Sequence, residues 1–199
     1  MFDGVITVSG DGLLHEVVNG FLQRDDWDMI KDHITIGGIP GGTGNGLIKS
    51  LLAEQNEIFG IQEAAWLIIR GDRKSIDLTK LTLEFEPHPV YSFLSVAWSV
   101  IADIDLNSEV CRCLGAFRFD VWGAYRVFNL MHARGNVEIN GKQVHHRQDL
   151  DGGEVTSKFE NQDFLYFYAL NMPFAAAKLR ASPLARPQDG FNDIVTSRR

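Results

Sequence analysis

The sequence predicts an α/β unit followed by a mainly β unit. Three observations carry that reading. Two glycine-rich loops, V-S-G-D-G at Val8–Gly12 and P-G-G-T-G-N-G at Pro40–Gly46, each stand between an apolar run and a helical pattern. The texture then changes near Ser75 to short β-rich runs. Strand, loop and helix repeated in that order is the pattern of a doubly wound sheet, whereas alternating apolar and polar residues suit half-buried strands.

Taken in order, Phe2 to Val8 is a short apolar run that suits a buried strand of a parallel sheet. Leu13, Leu14, Val17, Val18, Phe21 and Leu22 recur at helical spacing, so a helix is predicted over Leu13–Gln23. Asp25 to Asp32 is polar and turn-like. Ile34 to Ile39 is a second strand, and Leu47–Leu52 and Glu63–Arg70 are helices. Ile76 to Phe85 alternates as a strand, and Tyr91 to Ile101 is apolar and β-rich. A helix is expected around Phe119–His132. Val137–Ile139 followed by Asn140-Gly141 reads as a strand entering a hairpin turn. Gln143–Gln162 is polar and expected as a surface loop, and Phe164–Leu170 as a strand. The resulting division is residues 1–75 as a partial α/β nucleotide-binding domain and residues 76–199 as a partial β-rich domain. Two strands are too few to cover both faces of a parallel sheet, so further strands are expected from elsewhere.

The chain has 199 residues and a formal net charge of −7, which argues against nucleic acid as the main partner. Cys111 and Cys113 are read as free thiols of a reducing compartment, too few for a disulfide framework or a zinc site. No run reaches the ~18 to 20 apolar residues of a spanning helix, and a cytoplasmic location is the expectation. His132, His145 and His146 lack metal-ligand spacing, and His15 reads as a packing residue.

Glycines between a strand and a helix let backbone N–H groups approach a ligand, and the helix dipole favours an anion there. Asp11 does not fit a purely anionic cradle. On its residues alone the first loop is either a tight turn with Asp11 as helix N-cap, or a site where a carboxylate accepts a proton or helps hold a metal. The second loop places four glycines in six positions beside Thr43 and Asn45. Neither loop is a P-loop or G-x-G-x-x-G. Two such loops at neighbouring strand ends mark the ligand crevice of an open α/β sheet, with a polyphosphate as the natural ligand.

The runs V-S-G-D-G-L-L-H-E-V-V-N-G and I-P-G-G-T-G-N-G-L resemble the nucleotide loops of the diacylglycerol kinase-like lipid kinases. S-F-L-S-V-A-W-S-V-I-A-D-I-D-L-N-S-E, with C-R-C-L-G-A-F-R-F after it, resembles the sphingosine-kinase branch. That resemblance implies an ATP- and Mg²⁺-dependent kinase acting on the primary hydroxyl of a sphingoid base at a transient membrane surface. It implies Asp11 as the general base. It implies Ser9, Gly10, Gly12, Glu16, Gly42, Thr43, Gly44, Asn45, Arg112 and Arg118 around the nucleotide, and Ser95, Asp105 and Asp103 around the lipid head group. It also implies a β-sandwich-like lipid-binding domain after the α/β part, with some of Phe93, Leu94, Val96, Trp98, Val100 and Ile101 along the acyl chain. Without it, the arginines read as surface residues and the aspartate pair as a solvated turn. On a strand Asp103 and Asp105 would face one side, and inside an apolar run they would need a partner, which an amine could supply. The family's early Asn-Pro-x-x-Gly loop and late D-G-E stretch do not match here, so the resemblance implies an internal fragment. D-G-G-E at Asp151–Glu154 reads as a chance match. Kinases of diacylglycerol or ceramide, or an inactive nucleotide-binding module, remain the alternative readings.

Overall fold

The computed structural model describes residues 2–115, 117–142 and 154–198. The α/β part opens with β1 (Gly4–Ser9) and α1 (Asp11–Leu22). A four-residue turn of helix, α2 (Trp27–Ile30), follows within the stretch expected as a turn. β2 (Thr35–Pro40), α3 (Gly46–Glu54) and α4 (Ile61–Arg70) complete it. β1 and β2 pair in parallel from Gly4↔Thr35 to Ser9↔Pro40, so both glycine loops leave the same end of the sheet. α4 stops at Gly71, whose φ of 77° is the left-handed conformation that glycine adopts at helix ends.

The second part contains β3 (Thr79–Leu81), β4 (Val90–Ser92), β5 (Ser95–Ser99), α5 (Val100–Asn107), a 3-10 segment (Ser108–Leu114), α6 (Phe117–Phe128), β6 (Ala133–Lys142), β7 (Glu154–Leu170) and β8 (Asp193–Arg198). β3 and β4 form an antiparallel ribbon. β7 is the spine of an antiparallel sheet and pairs with β5, β6 and β8.

Apolar packing joins the two parts. Leu14 of α1, Leu47 of α3, Phe93 before β5 and Met172 after β7 form one buried cluster. Burial of the Phe93 side chain alone contributes about 1.5–3 kcal/mol. A second cluster of Ile48, Leu52 and Ala64 holds α4 on α3. Asn19 fastens α1 to β4: its Nδ2 donates to Tyr91 O at 2.8 Å, and Tyr91 N–H donates to Asn19 Oδ1 at 2.8 Å. The chain after β7 closes on α3, where Phe174 N–H donates to Ser50 Oγ and Ala177 N–H donates to Gly44 O.

Several sequence expectations are corrected. β1 is not buried on both faces: Ile6 and Val8 are exposed, because only Thr7 and its neighbours on the other face meet packed atoms. The strand expected over Ile76–Phe85 shortens to β3. The apolar run from Tyr91 does not stay extended through Ile101; it turns into α5 at Val100. Asn140-Gly141 is not a turn, since both residues pair within β6 opposite Thr156 and Val155. Residues 154–162 of the expected polar loop are the start of β7. At Lys158, Glu160 and Asn161 that polarity reflects exposure, with a cross-strand pair between Lys158 and Glu138. Residues 143–153, including most of D-G-G-E, lie outside the described residues.

Candidate active site

The two glycine loops touch. A Cβ added at Gly42 would stand 2.7 Å from Gly10 N, and one added at Gly10 would stand 3.1 Å from Gly42 Cα. Gly46 is confined likewise, with Phe174 O and Ala175 O each 2.7 Å from an added Cβ. These three glycines therefore permit backbone-to-backbone packing. Gly12 differs, because a Cβ there would meet nothing within 4 Å. Its open side is the place where another molecule's atoms could approach the backbone closely.

Asp11, the first residue of α1, reaches the other loop. Gly46 N–H donates to its Oδ2 at 2.8 Å and Leu47 N–H to its Oδ1 at 3.1 Å. The carboxylate thus occupies the N-terminus of α3, where orphan amides and the helix dipole favour a negative charge. Burial nevertheless outweighs those donors and raises the Asp11 pKa above the ordinary value of 3.8. The result is a fixed carboxylate with increased basicity. No side chain caps the N-terminus of α1 itself. Of the two loop-to-helix junctions, one is filled by Asp11 and the other is open beside Gly12.

The remaining residues of the loops divide similarly. Asn45 is buried and left-handed at φ 56°. Its side-chain oxygen accepts from Gly42 N–H at 3.1 Å, and its Nδ2 donates to Gly42 O. Its amide is therefore engaged in closing its own loop. Thr43 and Glu16 are exposed. Ser9 Oγ donates to Gly10 O at 3.0 Å. His15 lies against Asn19 and near the Phe93 ring, which agrees with a packing role.

Asp103 and Asp105 sit on α5 and not on a strand, so a two-residue spacing separates their faces. Asp103 is buried and accepts from Arg126 Nε at 2.5 Å, Arg126 Nη2 at 2.8 Å, Trp122 Nε1 at 2.9 Å and Asn107 Nδ2 at 2.6 Å. Burial favours protonation, but these donors prevail and hold the carboxyl below its ordinary range. Its need for a partner is met inside the protein, by α6. Asp105 is exposed, so solvent meets its charge. The desolvation argument for an amine at this pair is thereby removed, although Asp105 remains available to one. Arg118 donates to Glu109 Oε1 at 2.8 Å and lies over the Phe119 ring. The Arg112 side chain is outside what the structure describes.

Ser95 opens β5, which pairs with β7 so that Ala97 faces Tyr168. Tyr168 shares a face of this pair with Ser95, and burial first, then the charges of Asp105 and Asp11, raise its phenol above the ordinary pKa of 10.0. Tyr168 was not singled out by sequence. Nor were Asn19 and Arg126, although Asn19 is a polar residue within the apolar stripe of α1, which is a readable signal.

Residues 1–81 match the diacylglycerol kinase catalytic domain. Over 98% of its length the chain is 36% identical to sphingosine kinase 1 of Arabidopsis thaliana, and the match covers 44% of that protein. The chain is similar to the sphingosine kinases. Human sphingosine kinase 2 is 37% identical over 68% of the chain and 21% of its own length. The sphingoid long chain base kinase 4 of Schizosaccharomyces pombe is 29% identical over 98% of the chain and 46% of its own length. The chain thus spans less than half the length of these curated relatives. A solved structure of a putative diacylglycerol kinase from Bacillus anthracis superposes with a TM-score of 0.60 at 21% identity, over 98% of this chain and 54% of that one. That likeness shows a shared mixed α/β fold.

Proposed function

We propose that the chain carries the catalytic cleft of an ATP-dependent lipid kinase that phosphorylates the primary hydroxyl of a sphingoid base. The observation that carries the proposal is Asp11, a basic carboxylate held by α3 amides at the contact of two glycine loops. Its carboxylate accepts the hydroxyl proton as the lipid oxygen forms a bond to the γ-phosphorus and the bond to ADP breaks. General bases work best when their pKa is raised toward the operating pH, which is the direction burial imposes here. Phosphoryl transfer otherwise depends on positioning and charge neutralisation.

The fit to ATP rests on the open side of Gly12 and the uncapped start of α1, which suit phosphate oxygens. Ser9, Gly10, Gly42, Thr43, Gly44 and Glu16 are assigned to the same nucleotide by the sequence match, with Asn45 closing the second loop through Gly42. Arg112 and Arg118 are assigned to the nucleotide by sequence match alone, and Arg118 is paired with Glu109 in this structure. Among the described residues no group of three His, Cys, Asp or Glu side chains is placed to hold a metal. Mg²⁺ would neutralise phosphate charge when bound, and this ion is usually held by one or two carboxylates together with the nucleotide's own phosphates.

On the lipid side, Asp105 and Ser95 are the head-group contacts, and Asp103 acts through Arg126 to hold α6 on α5. The domain boundary falls near residue 75, with the sheet of β5 to β8 as one layer of a β-sandwich-like lipid domain. Among the described residues no helix is long and apolar enough to cross a membrane. The exposed Val110, Leu114, Phe117 and Phe128 support transient contact with a membrane surface. Because Asp105 is exposed and needs no amine partner, a kinase of a neutral lipid such as diacylglycerol or ceramide is the second reading.

The test is label transfer from γ-labelled ATP to sphingosine, ceramide and diacylglycerol in mixed micelles. Preference for sphingosine that collapses on Asp105→Asn is the expected result. Equal transfer to all three would remove the sphingoid assignment.

A further inference from the structure

The chain that follows β7 clasps the second glycine loop. Ala177 N–H donates to Gly44 O at 2.7 Å, and Phe174 N–H donates to Ser50 Oγ at 3.2 Å. Phe174 O and Ala175 O lie so close to Gly46 that an added Cβ there would stand 2.7 Å from each. Ala176 and Leu179 bridge to one another, which makes Ala176–Leu179 a tight turn. Lys178 is exposed in that turn, one residue beyond the bond to Gly44.

The clasp also gathers two further cations at one ring. Lys49 Nζ, from α3, lies 5.2 Å from the centre of the Phe174 ring and 5.7 Å from that of Phe59. The Arg180 guanidinium lies 5.7 Å from the centre of the same Phe174 ring. A ring face attracts each cation but carries no net charge to balance two. Among the described residues Lys49, Lys178 and Arg180 form no ion pair, although the chain as a whole carries a net charge of −7. Positive charge is thus left uncompensated on the second glycine loop.

The base lies next to it. An added Cβ at Gly44 would stand 3.0 Å from Asp11 Oδ2, so the residue whose carbonyl holds Ala177 is itself in contact with Asp11. A phosphate brought beside that carboxylate is repelled by it, and phosphoryl transfer depends on cations that offset such charge. The described arginine assigned to the task by sequence match, Arg118, is paired with Glu109.

Resting on the ATP reading, we propose that Lys49, Lys178 and Arg180 form a cationic wall on the second glycine loop that binds the terminal phosphate of the nucleotide. The phosphate to be transferred is the one that must lie beside Asp11, which is why a wall fastened to Gly44 takes the terminal phosphate and not the inner ones. Ammonium and guanidinium donors suit its oxygens. Phe174, fixed by its backbone bond to Ser50, sets the place of two of the three.

Titration calorimetry with Mg·ATP and with Mg·ADP, on the wild-type chain and on Lys49→Met, Lys178→Met and Arg180→Met, reads binding with no acceptor lipid present. Methionine keeps an unbranched stem and removes the charge. Each variant should weaken ATP about 10-fold or more, the loss of one hydrogen bond to a charged group, and leave ADP within about 2-fold. Arg180→Lys, which keeps the charge, should retain most of the ATP affinity. The melting temperature without nucleotide should stay within about 2 °C, because no ion pair is broken. Equal weakening of ATP and ADP, as a general defect would give, or unchanged ATP affinity overturns the wall and leaves the ATP reading intact. A phospholipid head group offers the same phosphate chemistry, so sedimentation with phosphatidylcholine vesicles containing phosphatidic acid runs in parallel. Variants that lose vesicle binding and keep their ATP affinity overturn the nucleotide assignment in favour of the lipid phosphate. A wild-type chain that binds neither nucleotide overturns the ATP reading and the wall with it.

Discussion

Gly12 and Gly42 are both glycines in phosphate-type loops, yet the structure predicts opposite responses to the same added methyl. At Gly12 the new Cβ meets nothing within 4 Å. Gly12 lies in the first turn of α1, and glycine within a helix is less favourable than alanine by about 0.5–1 kcal/mol. Gly12→Ala should therefore leave the chain as stable or raise its melting temperature by ~1–4 °C, given about 2–4 °C per kcal/mol for a chain of this size. Its effect belongs to the ligand. If ATP phosphates approach the α1 N-terminus, the methyl stands in their place. An overpacked contact costs about 1–3 kcal/mol, which is a loss of roughly 5- to 150-fold in ATP affinity. At Gly42 the added Cβ would stand 2.7 Å from Gly10 N, a backbone atom that cannot swing aside. Gly42→Ala should lower the melting temperature by ~2–12 °C and weaken ATP binding as a consequence. Thermal scans and titration calorimetry with Mg·ATP give both quantities for each variant. A Gly12→Ala chain of normal stability that binds ATP as tightly as wild type would refute the placement of phosphates at α1.

Other consequences are as direct. Asp103→Asn breaks a buried ion pair and leaves Arg126 without its charge partner, so it should cost about 3–5 kcal/mol and show as a lower denaturation midpoint in urea. The folded-state pKa of Asp103 is depressed, so its contribution is present above the ordinary value of 3.8 and lost as pH falls through the folded value; the gap between wild type and variant should close in acid. For Asp11 the sign reverses. Its raised pKa places the acid limb of kcat/KM above 3.8, because the base must be deprotonated, and a pH–rate profile reads that limb.

Much of the candidate site was legible in sequence because it is local. Glycine loops after strands announce themselves by composition, and both were found at the ends of parallel neighbours. What the loops do to one another was not legible. The hydrogen bonds from Gly46 and Leu47 to Asp11 span 35 and 36 residues, and the need for glycine at Gly10 and Gly42 comes from their mutual contact. Asp103 shows the same limit. Its spacing from Asp105 suggested a shared face, but the turn into α5 at Val100 separated them, and Arg126 lies 23 residues downstream. The polar residues Lys158, Glu160 and Asn161 concealed a strand, because exposed strand positions need no apolar side chain. Tyr168 gave no signal, since one tyrosine in the aromatic run of β7 looks like any other.

The central claim is that Asp11 is the base for phosphoryl transfer, and the Asp11→Asn variant tests it most directly. Asparagine keeps the shape and one acceptor oxygen for the α3 amides but cannot take the hydroxyl proton. Steady-state transfer to sphingosine should fall by about 10²–10⁴-fold, the usual contribution of a positioned base, while the Kd for Mg·ATP stays close to that of wild type. Near wild-type turnover in a folded Asp11→Asn chain would contradict the account.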